Sequence, residues 1–97
     1  MSTLHIIRRL ESSHSSITNS IALLAEGDAV VLIDDGTYNI NNMIYKNICK
    51  VIPSDNIHVI AKHAQARGIA IPGNISAITM KELLDLSLST TQSITWQ

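Results

Sequence analysis

An α/β fold built on a small, mainly parallel sheet is the expectation for this chain, and three observations carry it. Short apolar runs alternate with stretches of helical periodicity. The links between them are brief. One run, VVLI at residues 30–33, is apolar without alternation. A strand with one wet face alternates apolar and polar side chains, whereas a strand covered on both faces does not. Alternating element types with brief links favour parallel strands with helices on the faces of the sheet.

In order, LHII at residues 4–7 is a first strand, followed by Arg8 and Arg9, and SSHSS at residues 12–16 is turn-like. Ile17, Ile21, Leu24 and Ala25 have helical spacing, and Gly27 supplies the residue that tolerates a left-handed conformation at a helix end. Residues 30–33 form the second strand. Ile40, Met43, Ile44, Ile48 and Val51 repeat a helical stripe that Pro53 closes. Residues 57–61 (IHVIA) are a third strand, residues 62–67 a brief helix ended by Gly68, and residues 75–78 (ISAI) a fourth strand. Thr79 and Glu82 have the spacing of a capping box. Met80, Leu83, Leu84 and Leu88 are the expected buried face of the helix that follows. The tail, residues 90–97, is polar apart from Ile94 and Trp96. The reading is four strands and four helices in strict alternation, with no linker, repeat or low-complexity tract to mark a second domain.

Composition narrows the function classes. A 97-residue chain buries roughly two-thirds of its unfolded surface, and here the core must be aliphatic, because there is no Phe and aromatics are 3% of residues. The net charge of -1 offers no broad basic field for nucleic acid or an anionic membrane, and so few aromatics argue against base stacking on single strands. The lone cysteine, Cys49, excludes an internal disulfide and suits a reducing compartment. No apolar run is long enough to span a bilayer. A cytoplasmic protein is expected.

Chemistry-bearing residues are few. Asp34 and Asp35 follow the second strand, where ligands of open parallel sheets bind, and two acids can hold Mg²⁺. Adjacent residues on an extended chain point opposite ways, however, and no further acceptor Asp follows the third strand. The competing reading is a strand-end turn in which Gly36 takes positive φ, and it is preferred. Cys49 has Lys46 and Lys50 nearby to favour a thiolate, but it sits at the end of a helix rather than in a strand-to-helix loop. His5, His14, His58 and His63 have no metal-ligand spacing, and the familiar nucleotide-binding glycine loops are absent. His5 and His58 fall in strands and read as structural imidazoles. No nucleophile, base and oxyanion hole assemble, and no metal or cofactor is expected.

Several stretches together resemble the DsrH/TusB family of sulfur-relay subunits. They are Leu4 and His5; EGD at residues 26–28, followed by the apolar run and Asp35 with Gly36; ARG at residues 66–68; and the C-terminal stretch ISAITMKELLDLSLSTTQSITW, with Trp96 near its end. The likeness runs through almost the whole chain in one order and is closer to TusB. It implies a single domain over residues 1–97 with a DsrE-like three-layer fold. It also implies a non-catalytic subunit that assembles with TusC-like and TusD-like partners into a dimer of heterotrimers. That assembly passes persulfide sulfur from a cysteine desulfurase pathway towards a tRNA thiolase, for 2-thiolation of the wobble uridine. The DsrEFH branch serves oxidative sulfur metabolism instead, and its DsrH-type members can carry a cysteine in the first helix. The matching position here is about Ser20, which has no thiol. Other positions depart from the family pattern too: Arg9 and Leu10 replace a frequent Ser-Pro, His63 replaces a frequent acid, and Asp34 replaces a commonly neutral residue. Within this reading Asp35, Gly36, Tyr38 and Trp96 are candidate subunit contacts, and Cys49 is the candidate sulfur carrier of the alternative.

Overall fold

The computed structural model describes residues 2–10 and 22–96. They form β1 (Thr3–Ile7), β2 (Ala29–Leu32), a run of 3-10 turns (Asp34–Asn41) and α1 (Met43–Val51). After a single 3-10 turn (Ser54–Asn56) come β3 (Ile57–Ile60), α2 (Ala61–Ala66), β4 (Ser76–Ile78), α3 (Met80–Ser89) and β5 (Gln92–Trp96). The polar turn at residues 12–16, with His14, and most of the helix expected from Ile17 lie outside the described residues. Of that helix's end, Ala22 and Leu23 form a turn, and Gly27 has φ 91°.

The strands make one sheet in the order β4-β3-β2-β1-β5, and every neighbouring pair is parallel. The α/β class with a parallel sheet is therefore observed, with a fifth strand in the stretch whose sequence predicts only a polar tail. Gln92, Ser93 and Thr95 are exposed, so β5 has no apolar alternation to announce it. It is held by its backbone pairing along the whole of β1, from Thr3 opposite Gln92 to Ile7 opposite Trp96, and by the buried Trp96.

Successive residues of a strand point to opposite faces, and the two hydrophobic clusters follow that parity. Ile7, Val30, Leu32, Ile57, Val59 and Trp96 face one layer, where Ile44 and Ile48 of α1 and Ala64 of α2 pack on them. Leu4, Ala29, Val31, Ile60 and Ile78 face the other, where Leu83 of α3 packs. All four β2 residues are buried, which is why that strand shows no alternation. The capping box of α3 is formed as expected: Glu82 N–H donates to Thr79 Oγ1 at 3.1 Å, and Thr79 N–H donates to Glu82 Oε1 at 3.0 Å.

Two expectations about helix faces need correction. In α3 only Leu83 is buried, with Leu86 partly so, while Met80, Leu84 and Leu88 are 50%, 63% and 84% exposed. With leucines at 83, 84, 86 and 88 the helix is apolar on more than one face, and periodicity alone does not choose between them. In α1, Met43 and Val51 are likewise exposed, and Ile44 and Ile48 carry the contact. The stripe that began at Ile40 straddles two elements: Ile40 belongs to the 3-10 run, and α1 starts afresh at the Asn42 cap, whose Oδ1 accepts from Met43 N–H at 2.7 Å.

The turn after β2 is also built differently from expectation. The left-handed residue is Asp34, with φ 48°, the only non-glycine of positive φ among the described residues; Asp tolerates that conformation better than most. Gly36 is needed for space instead. A Cβ there would collide with the carbonyl of Ile7 at the end of β1. The run continues with Thr37 and Asn39, both buried. Thr37 Oγ1 donates to Asp34 O at 2.9 Å, and Asn39 Nδ2 donates to Arg9 O at 2.9 Å, so the segment after β2 is stapled over the end of β1. Gly36→Ala should therefore cost about 1–3 kcal/mol or more, the range for overpacking against atoms that cannot yield. Gly73→Ala, where nothing lies within 4 Å of the added methyl, should stay within about 0.5 kcal/mol. Urea unfolding of both variants checks the pair; equal effects would mean that the approach to Ile7 is not a constraint.

Candidate functional site

The carboxyl ends of the strands bring together Asp34, Asp35, His63 and Arg67. Asp34 N–H donates to His63 Nδ1 at 2.9 Å, so the neutral ring carries its proton on Nε2. The Asp34 carboxylate lies 3.6 Å from the same nitrogen and 4.0 Å from Arg8 Nε. Asp35 turns elsewhere: Arg67 Nε donates to its Oδ1 at 2.9 Å, and Arg67 Nη1 donates to His63 O at 3.2 Å. The two carboxylates thus diverge onto separate partners. No group of three His, Cys, Asp or Glu residues converges as a metal site among the described residues. Asp35 is largely exposed, and exposed ion pairs contribute about 0–1 kcal/mol. The pair fixes the geometry of the turn more than it stabilises the fold.

A second network is buried. His5 Nε2 lies 2.9 Å from Asp28 Oδ2, and Trp96 Nε1 donates to His5 Nδ1 at 3.1 Å. Since Nδ1 accepts from the indole, Nε2 is the nitrogen that donates to the carboxylate. Asp28 also accepts from Thr3 N–H on Oδ1 and from Ala25 N–H on Oδ2, both at 3.0 Å. Burial alone would raise this carboxyl. The hydrogen bonds from His5, Thr3 and Ala25 outweigh it and hold the group below the ordinary 3.8. An acid oriented against an imidazole is half of a catalytic triad, but here the second ring nitrogen is occupied by Trp96 and His5 is fully buried. The pair has no access to a substrate. Trp96, at 4% exposure, belongs to the core of its own chain, whereas Tyr38 is 39% exposed beside the strand-end turn.

Cys49 is an exposed free thiol in the last turn of α1. Since α1 leaves the carboxyl end of β2 and returns towards the start of β3, this thiol lies at the opposite end of the sheet from Asp34 and His63. The phenol of Tyr45, one turn earlier, is raised by burial and further by the adjacent Cys49. His58 faces a groove of about 350 Å³ beneath α3 with Glu82 and Asp85; burial lowers its pKa, and its Nδ1 has no hydrogen-bond partner.

Sequence reasoning singled out the residues of both networks separately but did not join them. Asp35 and Arg67 are 32 positions apart, and His5 and Trp96 are 91 apart, so no local spacing links them. The only signal was that each lies in a fragment of the family resemblance. Leu4-His5, EGD and Trp96 meet in the buried network. The Asp35-Gly36 and ARG fragments meet in the exposed one.

Because the folded-state pKa of Asp28 is depressed, its contribution to stability is fully present above 3.8, its ordinary value. It is lost as the pH falls through the lower folded value. Asp28→Asn would turn an NH₂ or a single oxygen towards donors that now face two carboxylate oxygens. It should cost about 2–4 kcal/mol at neutral pH, the scale of broken buried hydrogen bonds to a charged group. It should also flatten the loss of stability below pH 4. Urea midpoints of both proteins at pH 7 and pH 3.5 check this, and identical acid slopes would remove Asp28 as the source.

No helix among the described residues is long and apolar enough to cross a membrane. No curated protein matches the chain. Residues 11–93 match the family described as DsrH like protein. That match covers well over half of the sequence and takes in three of the five fragments that meet in the two networks, EGD, Asp35-Gly36 and ARG. The chain belongs to the DsrH-like family, a family of sulfur-relay subunits.

Proposed function

We propose that the chain is a TusB-like, non-catalytic subunit of a cytoplasmic sulfur-relay assembly. It pairs with TusC-like and TusD-like subunits in a dimer of heterotrimers. The assembly carries persulfide sulfur from a cysteine desulfurase pathway to a tRNA thiolase that 2-thiolates the wobble uridine. Within that assembly this chain shapes and stabilises the complex, and the partner carries the sulfur. The observation that carries the reading is the position of the sole cysteine. A persulfide anion is favoured where backbone N–H groups converge. Cys49 lies in the last turn of a helix, where the unpaired groups are carbonyls and the dipole is negative. The closed His5–Asp28–Trp96 network supports the same reading, because it removes the one acid–imidazole pair from solvent.

The isolated chain leaves apolar side chains in water that a partner would cover. Met80, Leu84 and Leu88 form an i, i+4, i+8 stripe on α3, and Tyr38 stands beside the Asp35–Arg67 pair. Patches of this kind mark interaction surfaces. The rival reading is a DsrH-like subunit of a DsrEFH complex in oxidative sulfur metabolism, with Cys49 as a carrier. The exposure of Cys49 and its nearness in sequence to Lys46 and Lys50 favour it.

The deciding experiment is native mass spectrometry of the complex captured from its own cells through this chain. Two DsrE-type partners in equal ratio, with a thiolase or desulfurase nearby, are the expected result; a monomer with no such partner would overturn the proposal. Leu84→Lys and Tyr38→Ala should each reduce partner capture at least several-fold while leaving the urea midpoint of the isolated chain nearly unchanged. Cys49→Ser should leave sulfur transfer by the assembled complex intact, and its loss would favour the rival.

A further inference from the structure

The sheet changes its winding between β1 and β5. From β1 to β4 the chain steps in one direction across the sheet, and the described connections pack on one layer through Leu24, Ile44, Ile48 and Ala64. The return from β4 to β5 crosses by α3 on the opposite layer, through Leu83. In open parallel sheets the crevice for a ligand lies beyond the carboxyl ends of the strands at such a change of winding. Here that place is a crevice of about 270 Å³ lined by Arg8, Arg9, Thr95 and Trp96. It sits one step beyond the rung formed by Ile7 and Trp96.

The lining has a definite chemistry. Consecutive residues of a strand diverge, but the chain bends at Arg9, and both arginines line the same crevice. Arg8 has only a 4.0 Å approach to the largely exposed Asp34. The Arg9 side chain makes no ion pair among the described residues, and only its backbone carbonyl is engaged, by Asn39. Thr95 is exposed and offers a hydroxyl. Trp96 also lines the crevice, its indole N–H being already committed to His5. Two guanidiniums set against one carboxylate leave a net positive charge. Planar guanidinium forks match oxyanions in two-point contact. The volume is just under the usual range for small-molecule sites, which limits the ligand to a small one.

We propose that this crevice binds a small oxyanion of the phosphate, sulfate or carboxylate type, held by Arg8 and Arg9 with the Thr95 hydroxyl as a third contact. The inference is independent of the sulfur-relay assembly and of Cys49. It concerns Arg9, one of the positions where the chain departs from the family pattern.

The single tryptophan of the chain is a reporter already in place. Trp96 emission is followed while inorganic phosphate, sulfate and acetate are titrated separately into the full-length chain, with chloride at matched ionic strength as the control. A saturable change with at least one of the three is expected, absent with chloride, and the anion that saturates first assigns the class. Arg9→Gln should raise the apparent Kd at least tenfold and Thr95→Val several-fold. Both side chains are exposed, and circular dichroism verifies that the variants remain folded. Isothermal titration of the same anions gives a reading that does not depend on fluorescence. A response that tracks ionic strength alone, or one that Arg9→Gln leaves unchanged, would overturn the proposal.

Discussion

Three hydrogen-bonded side chains, Trp96, His5 and Asp28, hold together parts of the chain that lie far apart in sequence. Asp28 sits at the entrance to β2 and gathers the amides of Thr3 and Ala25 as well as the His5 ring; Trp96 brings in the end of β5. The first strand, the approach to the second and the last strand are thereby clamped on one another. A parallel sheet has no hairpins to set its register locally, so some non-local contact must do it. Here a polar network within an aliphatic core supplies the directionality that Ile, Leu and Val packing lacks. Breaking any of its members would leave a buried donor or acceptor without a partner, which is what makes such a network specific.

The same network explains why an acid and an imidazole at 2.9 Å do not make a catalytic centre. Catalysis needs a free nitrogen facing a substrate, and His5 has none. The strand-end cluster is open to solvent but divides its two carboxylates between His63 and Arg67. What the cluster does is mechanical: the Asp34 amide is held by His63, Arg67 spans Asp35 and the His63 carbonyl, and the 3-10 run is laid over the end of β1. A shaped, well-braced surface is what a subunit needs in order to present itself to a partner.

Much of this architecture was legible from the sequence where the signal is local. The first four strands, the capping box at Thr79 and Glu82, and the positive φ of Gly27 and Gly68 all follow from short-range chemistry. Three features were not legible, each for a physical reason. β5 is polar because it is an edge strand whose outer side chains face water. The exposed stripe of α3 is as apolar as the buried one, so the sheet rather than the helix decides which is covered. The Asp-Gly pattern predicts a positive φ at Gly36, yet the constraint there is the Ile7 carbonyl, 29 residues earlier in the chain. Of the candidate site, the individual residues were visible as motif fragments; their pairing was not, because it exists only once the sheet has formed.

The adjacency of β1 and β5 also has a consequence for how the protein is made. β1 precedes the other described strands in sequence, and one of its two neighbours in the sheet is the last of the five, with Ser2 O and Thr91 N–H bonded at 2.9 Å. Until residues 92–96 leave the ribosome, β1 presents an unpaired edge of backbone donors and acceptors, and the ring of His5 lacks its indole donor. Long-range closures of this kind slow folding, and open strand edges invite association with other chains. The edge of β1 is therefore most vulnerable until β5 has been made, and a stop ahead of residue 92 would take away β5 and with it the cover of β1.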